Sequence, residues 1–382
     1  VVSIYERRWV SRKGESKTAY RVSYTVDGQQ RQKQFRTRRL ASIFVSRLEG
    51  VINQERAEAA AQQSPTLDQL FRDWIAARKV GADGNPPLEP GSIYQYETEY
   101  RTRISPALGA RRIAELTPRD MRQFLNELAH SGLRRSSVKK IFGTLRTVLS
   151  YGVLIEELGS NPATGIRIKA DRRREGLVIA HEKDDMRKII QVAVDLAVSS
   201  NNRKRKEAWV LGAALLHVLV YGGLRIGEAR ALSREHIEWD KCCIHIKQRA
   251  DAWGRIGRPK SARSSRKVLV PDVVIEWLKK LRDLHDRPLL FSTRSGRPID
   301  QRNIARAIWH PLQRLAGVPV LRIHSTRHFY ASLMIDSGIN PKQLSQDMGH
   351  HSEAFTMSVY GHLFKDAGAD ERNRALKNSA VL

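Results

Sequence analysis

Residues 349–363 read GHHSEAFTMSVYGHL, which sets the phenol of Tyr360 ten residues after His350 and two before His362. A tyrosine hydroxyl becomes a nucleophile when a neighbour takes its proton, and histidine is the side chain that titrates nearest neutrality. The ordinary alternative is a packed aromatic with polar neighbours. Three upstream stretches carry further reactive side chains. YGGLRIGEARAL, residues 221–232, puts Arg225 beside two glycines at a helix junction, with Glu228 three residues on and so on the same helical face. Alone, that pair reads as a structural ion pair. RPKSARSSRKVLVP, residues 258–271, sets Lys260 on a basic hairpin-like segment. A lysine there can follow a nucleic-acid backbone or, once docked, give up a proton, though most basic loops only supply charge. LRIHSTRHFYASLMIDSG, residues 321–338, presents His324 and Arg327 on one helical face and turns Tyr330, Ala331, Leu333 and Met334 toward a core.

The elements that must hold these groups follow from pattern and capping. Asn340-Pro341 starts a helix that ends near Met348-Gly349, and Ser352 caps a short helix carrying Tyr360 near its end. Strands are expected at 243–247 and 267–270, and helices at 273–285 and 301–315, the second capped by Asp300. A helix through Trp209, Leu211, Leu215 and Leu219 lies upstream. Ahead of this mixed region, Thr66 caps a helix with Leu67, Leu70, Phe71 and Trp74 at helical spacing, and helices follow from near Ile93, from Pro118, and from Ser136 to about Glu157. Arg134, Arg135, Lys139 and Lys140 surround the start of the last of these, where amides and cations can both face phosphate. At the amino terminus Tyr20, Val22, Tyr24 and Val26 alternate with polar residues, Asp27-Gly28 signals a hairpin, and strands on either side predict a three-stranded sheet covered by a helix over 38–58. The free sheet face is assigned to Arg21, Arg31 and Lys33. AEAAAQQSP at 57–65 and KADRRRE at 169–175 read as linkers.

These breaks imply three domains, at 1–62, 63–170 and 171–382, and a multidomain α+β fold: a sheet-plus-helix domain, an all-helical domain and a mixed, mainly helical one. The 67 Lys and Arg residues exceed 40 Asp and Glu, a net charge of +27, and the first 48 residues alone carry +9. A polyanionic partner accounts for such an excess, and nucleic acid fits better than an anionic membrane because no long basic amphipathic helix is present. No apolar run reaches the length of a membrane span. The two cysteines, Cys242 and Cys243, are adjacent without metal-ligand spacing, so the expectation is no metal, no cofactor and a reducing cytoplasm.

In family order, GLRIGE, a following basic hairpin lysine, HSTRH, GHHS and YGHL resemble the tyrosine recombinases, most of all the phage and mobile-element integrases. The resemblance covers roughly the last 200 residues, and the two upstream domains match the family's arm-binding and helical, SAM-like core-binding layout. It implies that Arg225, Lys260, His324, Arg327, His350 and Tyr360 are catalytic, with Glu228 in support. Lys267, Arg263 and Arg266 are alternatives for the lysine, and His351 for His350. The implied reaction is attack of Tyr360 on a DNA phosphodiester, giving a 3′-phosphotyrosyl link and a free 5′ hydroxyl without metal or ATP. His324 would accept from or orient the Tyr360 hydroxyl, while Lys260 protonates the leaving oxygen. Also implied are double-stranded core and arm sites, a homotetramer tied by the tail from Phe364, and accessory host DNA-bending and excisionase proteins at a prokaryotic nucleoid. The rival readings are a type IB topoisomerase and a regulator that binds DNA without cutting it.

Overall fold

A computed structural model of the chain describes residues 3–10, 16–26, 29–82, 84–168, 180–259 and 264–364. Asp27-Gly28, the 169–175 segment, Lys260, Arg263 and the tail beyond Phe364 lie outside the described residues. The chain divides into two compact units, Val1–Lys169 and Ala170–Leu382.

The first unit opens with β1 (Ser3–Val10), β2 (Ser16–Val26) and β3 (Gln29–Phe35), an antiparallel sheet in that order, and α1 (Arg38–Gln63) packs on one face through Phe44. Cross-strand partners share a face. Val22 stands opposite Lys33 and Tyr24 opposite Arg31, so both cations belong to the helix-covered side. The ammonium of Lys33 lies 4.8 Å from the centre of the Phe44 ring. This corrects the expectation that Arg21, Arg31 and Lys33 share the free face. Arg21 alone is there, with Tyr5, Arg7, Ser23, Gln32 and Gln34. The cause is parity: a hairpin with Val26 opposite Gln29 puts even positions of β2 beside odd positions of β3. The expected linker also falls, because α1 runs unbroken to Gln63. Ala, Glu and Gln are strong helix formers, and nothing in AEAAAQQ stops a helix before Ser64-Pro65.

Four helical segments follow: α2 (Leu67–Val80), α3 (Pro90–Glu99) continuing as a π-helical stretch through Gly109, α4 (Pro118–His130) and α5 (Arg135–Leu154). Thr66 and Thr117 both close capping boxes, with Gln69 and Asp120. Leu67, Leu70, Leu145, Val148 and Leu149 are buried in one core, and the Phe71 ring stacks on Tyr100 at 3.7 Å. Arg134 is the N-cap of α5 without a side-chain cap bond, and Arg134, Arg135, Lys139 and Lys140 are all exposed around that end.

In the second unit α6 (Lys183–Ser199), α7 (Arg203–Tyr221) and α9 (Asp272–Arg282) pack together, and the run from Ala213 to Val220 on α7 is buried on every side. Between α7 and α9 come the short α8 (Ile226–Arg230), a small antiparallel sheet of β4 (Ile237–Glu238), β5 (Cys243–Ile246) and β8 (Arg266–Leu269), and the ribbon β6 (Arg249–Ala250) with β7 (Ile256–Gly257). After α9, α10 (Gln301–Ile304) and α11 (His310–Leu315) join through a single π-helical stretch, and Asp300 caps the first. Then α12 (Ser325–Asp336), α13 (Pro341–Met348) and α14 (Glu353–Tyr360) form a second, smaller core. Among the described residues no helix is long and apolar enough to cross a membrane.

Candidate active site

The end of α13 organises the site. Asn340 caps its start and Gly349, at φ +60°, turns the chain left-handed at its finish. That turn leaves three consecutive backbone carbonyls for other donors, and each receives a guanidinium. Arg266 Nε donates to Asp347 O at 2.6 Å, Arg327 Nη2 donates to Met348 O, and Arg225 Nη2 donates to Gly349 O at 2.8 Å. Arg327 also donates to Gly223 O at 2.6 Å. Gly223, at φ +60°, packs so close to Tyr330 that an added Cβ would lie 2.3 Å from its ring.

Glu228 ties two of these cations together. Its Oε2 accepts from the Arg225 backbone N–H at 3.0 Å and from Arg266 Nη2 at 2.9 Å. Its Oε1 accepts from Arg225 Nη1 at 2.8 Å and from Arg266 Nη1 at 3.1 Å. Burial alone would raise the carboxyl's pKa, but Arg266, Arg225 and Arg327 outweigh it and hold the group at about 2. Burial, with Arg225 adding to it and Glu228 opposing, lowers Arg327 to about 9, so it stays charged at neutrality. Three guanidiniums thus face one carboxylate, and Arg225, whose side chain is 36% exposed, is the one most open to solvent.

Burial and the cations lower the basicity of His350 and His324. His350 is buried, and burial followed by Arg327, Arg225 and Arg266 pushes it down to about 3. Its Nδ1 meets the hydroxyl of buried Thr356 at 2.8 Å. With that hydroxyl donating, the ring keeps an N–H at Nε2. His324 is the N-cap of α12, and its pKa is lowered by desolvation first and then by His328, Arg327 and Arg225. The residue as a whole is exposed, which moderates the effect of burial.

Tyr360 is 2% exposed, its ring parallel to His350 at 6.4 Å, and burial raises its pKa to about 12. Its hydroxyl sits 2.7 Å from Nδ1 of His328. The expected partner was His324. His328 is the residue that sequence reasoning passed over, although it stands in the quoted HSTRH. Arg266 was weighed only as a hairpin cation, and alternation along β8 explains its true place. Arg266 and Val268 turn inward, while Lys267 points out to Glu238 at 3.6 Å and stands apart from the site as described. His351 is exposed and packs its ring near Phe355. Arg225, Glu228, Arg327, His350 and Tyr360 are therefore gathered, with His324 at their edge.

Two further features carry charge or possible ligand atoms. Arg119, Arg122 and Asn126 of α4 line a shallow groove on the first unit. Glu238, Cys243 and His245 bring possible ligand atoms within 4.8 Å of one another, but the carboxylate is already engaged by His245, Lys241 and Lys267. We read that cluster as ion pairing.

Residues 182–366 match the model of the phage integrase family, and residues 82–129 match the phage integrase N-terminal SAM-like domain. A XerC-like tyrosine recombinase of Caldanaerobacter subterraneus subsp. tengcongensis is 26% identical over 79% of this chain and 80% of its own length. The integrase of Mycobacterium phage L5 is also 26% identical, over 80% of this chain and 77% of its own. Among solved structures, the Tn1549 transposon integrase in complex with transposon right-end DNA covers 83% of this chain and 100% of its own at a TM-score of 0.64 and 16% identity. A lambda integrase tetramer bound to a Holliday junction covers 95% of each chain at 0.58 and 16%.

Replacing Gly349 by alanine tests the organising turn. An added Cβ would meet Arg266 Nη1 at 3.0 Å in a backbone region that disfavours side chains. Gly349→Ala is expected to slow DNA cleavage at least about tenfold and to lower the melting temperature. Gly338→Ala, at φ +87° with open space around it, should lower the melting temperature alone. Equal cleavage by the two variants would refute the role given to the α13 terminus.

Proposed function

The chain belongs to the phage integrase family of tyrosine recombinases, enzymes that cleave and rejoin DNA strands, and from that premise we propose that its pocket performs site-specific recombination through a phosphotyrosine. The observation that carries the reading is the gathering of Arg225, Arg327, His350 and Tyr360 around the end of α13. A phosphodiester entering there is an anion meeting an excess of positive charge. Guanidiniums can give two parallel hydrogen bonds to its non-bridging oxygens, and His350 adds a third donor. Those oxygens gain charge as the nucleophile approaches, so donors fixed beforehand favour the transition state over the bound substrate.

In the forward step the Tyr360 oxygen bonds to phosphorus, the bond to the 5′ oxygen breaks, and the chain is left joined to the 3′ phosphate. Lys260, by family resemblance, protonates the departing oxygen. The phosphotyrosine keeps the energy of the broken linkage, so a 5′ hydroxyl from a partner duplex can reverse the step without ATP. The family, the two upstream domains and the bound states of its relatives support a homotetramer on paired core sites that integrates or excises a mobile element. In this proposal a host DNA-bending protein and an excisionase assist, and the work is done at the bacterial nucleoid. Core-site phosphates meet Arg134, Arg135, Lys139 and Lys140, joined by Arg119 and Arg122. Arm sites meet the open face of the amino-terminal sheet, where Arg21 stands among Tyr5, Arg7, Gln32 and Gln34. Arg31 and Lys33 contribute charge from the other face.

On a nicked suicide duplex the wild-type chain should accumulate a covalent adduct, which Tyr360→Phe abolishes and Tyr330→Phe retains. An adduct persisting in Tyr360→Phe would end the nucleophile assignment. For the sheet, Arg21→Ala should weaken arm-site binding and flatten its logarithmic salt slope by about 1, the signature of one lost phosphate contact, with core-site cleavage unchanged. An unaltered slope would remove Arg21 from the arm interface.

A further inference from the structure

We propose that His328 is the proton acceptor for the Tyr360 hydroxyl in strand cleavage and the donor that returns the proton on resealing. This rests on the reading of Tyr360 as nucleophile. Three observations converge on it. The Nδ1···Oη distance of 2.7 Å is that of a formed hydrogen bond, made within one chain. His328 directly follows Arg327 on α12, so the helix that anchors a phosphate-binding guanidinium also carries the acceptor. His324, one turn earlier, packs its ring edge-on to His328 at 4.9 Å and flanks this pair on the open side.

The protonation states suit the transfer. Tyr360 holds its proton firmly in a buried site, and His328 is kept neutral by burial and by Arg327, so the phenol donates and Nδ1 accepts. The proton of His328 then sits on Nε2. As the Tyr360 oxygen bonds to phosphorus its acidity rises sharply, and the proton moves along the existing bond to Nδ1. Burial and the neighbouring Arg327 both disfavour an imidazolium at His328. The negative charge gathered on the phosphorane oxygens offsets that cost when DNA is bound. On resealing the 5′ oxygen re-forms its bond to phosphorus, the Tyr360 oxygen leaves, and His328 returns the proton to it. Atoms and charge balance in both directions, with the proton for the 5′ oxygen handled separately on the other side of phosphorus.

The test is single-turnover cleavage of a nicked suicide duplex by the full chain. His328→Ala should bind the core site normally and form adduct about a hundredfold more slowly, the usual scale for a lost general base. Added imidazole should restore at least about tenfold, in proportion to its neutral fraction. His328→Gln, which can keep a hydrogen bond but cannot take a proton, should remain slow. A duplex with a 5′-bridging sulfur, whose leaving group needs no proton, should leave both variants slow because their deficit lies on the nucleophile's side. Cleavage by His328→Ala within about threefold of wild type, recovery in His328→Gln, absence of imidazole rescue, or recovery on the sulfur substrate would each overturn the proposal. Loss of adduct in Tyr360→Phe alongside any of these would leave the nucleophile standing and remove only His328. Adduct in Tyr360→Phe would sink the nucleophile itself.

Discussion

Like charges must be held together before this pocket can bind an anion, and the carboxyl end of α13 does the holding. Guanidiniums at close range repel, so Arg225, Arg266 and Arg327 need fixed negative partners. A helix end supplies them as the unpaired carbonyls of its last turn, where the backbone dipoles sum to partial negative charge. The carbonyls of residues 347, 348 and 349 each take one cation, and the Glu228 carboxylate binds both Arg225 and Arg266. Gly349 matters because its left-handed turn ends the helix there and leaves room for Arg266. The Gly-His pair is thus a backbone requirement followed immediately by the histidine proposed to donate to phosphate.

Such an arrangement is costly to the fold. Buried charges lose hydration, and a buried ion pair stabilises a fold poorly unless every remaining donor is satisfied. Arg327 is nearly inaccessible and Glu228 almost wholly so. Under the proposed function, what the arrangement secures is readiness: donors held by the helix end need little reorganisation to meet a phosphate. The same burial keeps Tyr360 protonated and the surrounding histidines neutral. In the proposed reaction the Tyr360 hydroxyl therefore gives up its proton only as its oxygen engages phosphorus.

Much of this was legible in the sequence, because capping is local chemistry. Thr66, Asp300, Asn340 and Ser352 mark helix starts by side-chain oxygens that reach the next turn, and all four cap as expected. The residues Arg225, Glu228, Arg327, His350 and Tyr360 were found by spacing and family likeness. What escaped depends on register and on three-dimensional neighbours. The face of Lys33 turns on one residue of hairpin parity: with Val26 opposite Gln29, the register that a two-residue connection implies, Lys33 falls beside Val22. The inward turn of Arg266 needed the pairing of β8 with β5. His328 was visible, but only the packing of α14 against α12 shows that the phenol reaches it rather than His324. The segment 57–63 misled because its alanines and glutamines suit a helix as well as a linker.

The most direct test is a structure of the chain on a nicked core-site duplex with orthovanadate in place of the scissile phosphate. The account predicts a five-coordinate vanadium between the Tyr360 oxygen and the free 5′ hydroxyl, its equatorial oxygens within hydrogen-bond reach of Arg225, Arg327 and His350. Vanadium joined to another side chain, or held without contact to either guanidinium, would contradict it.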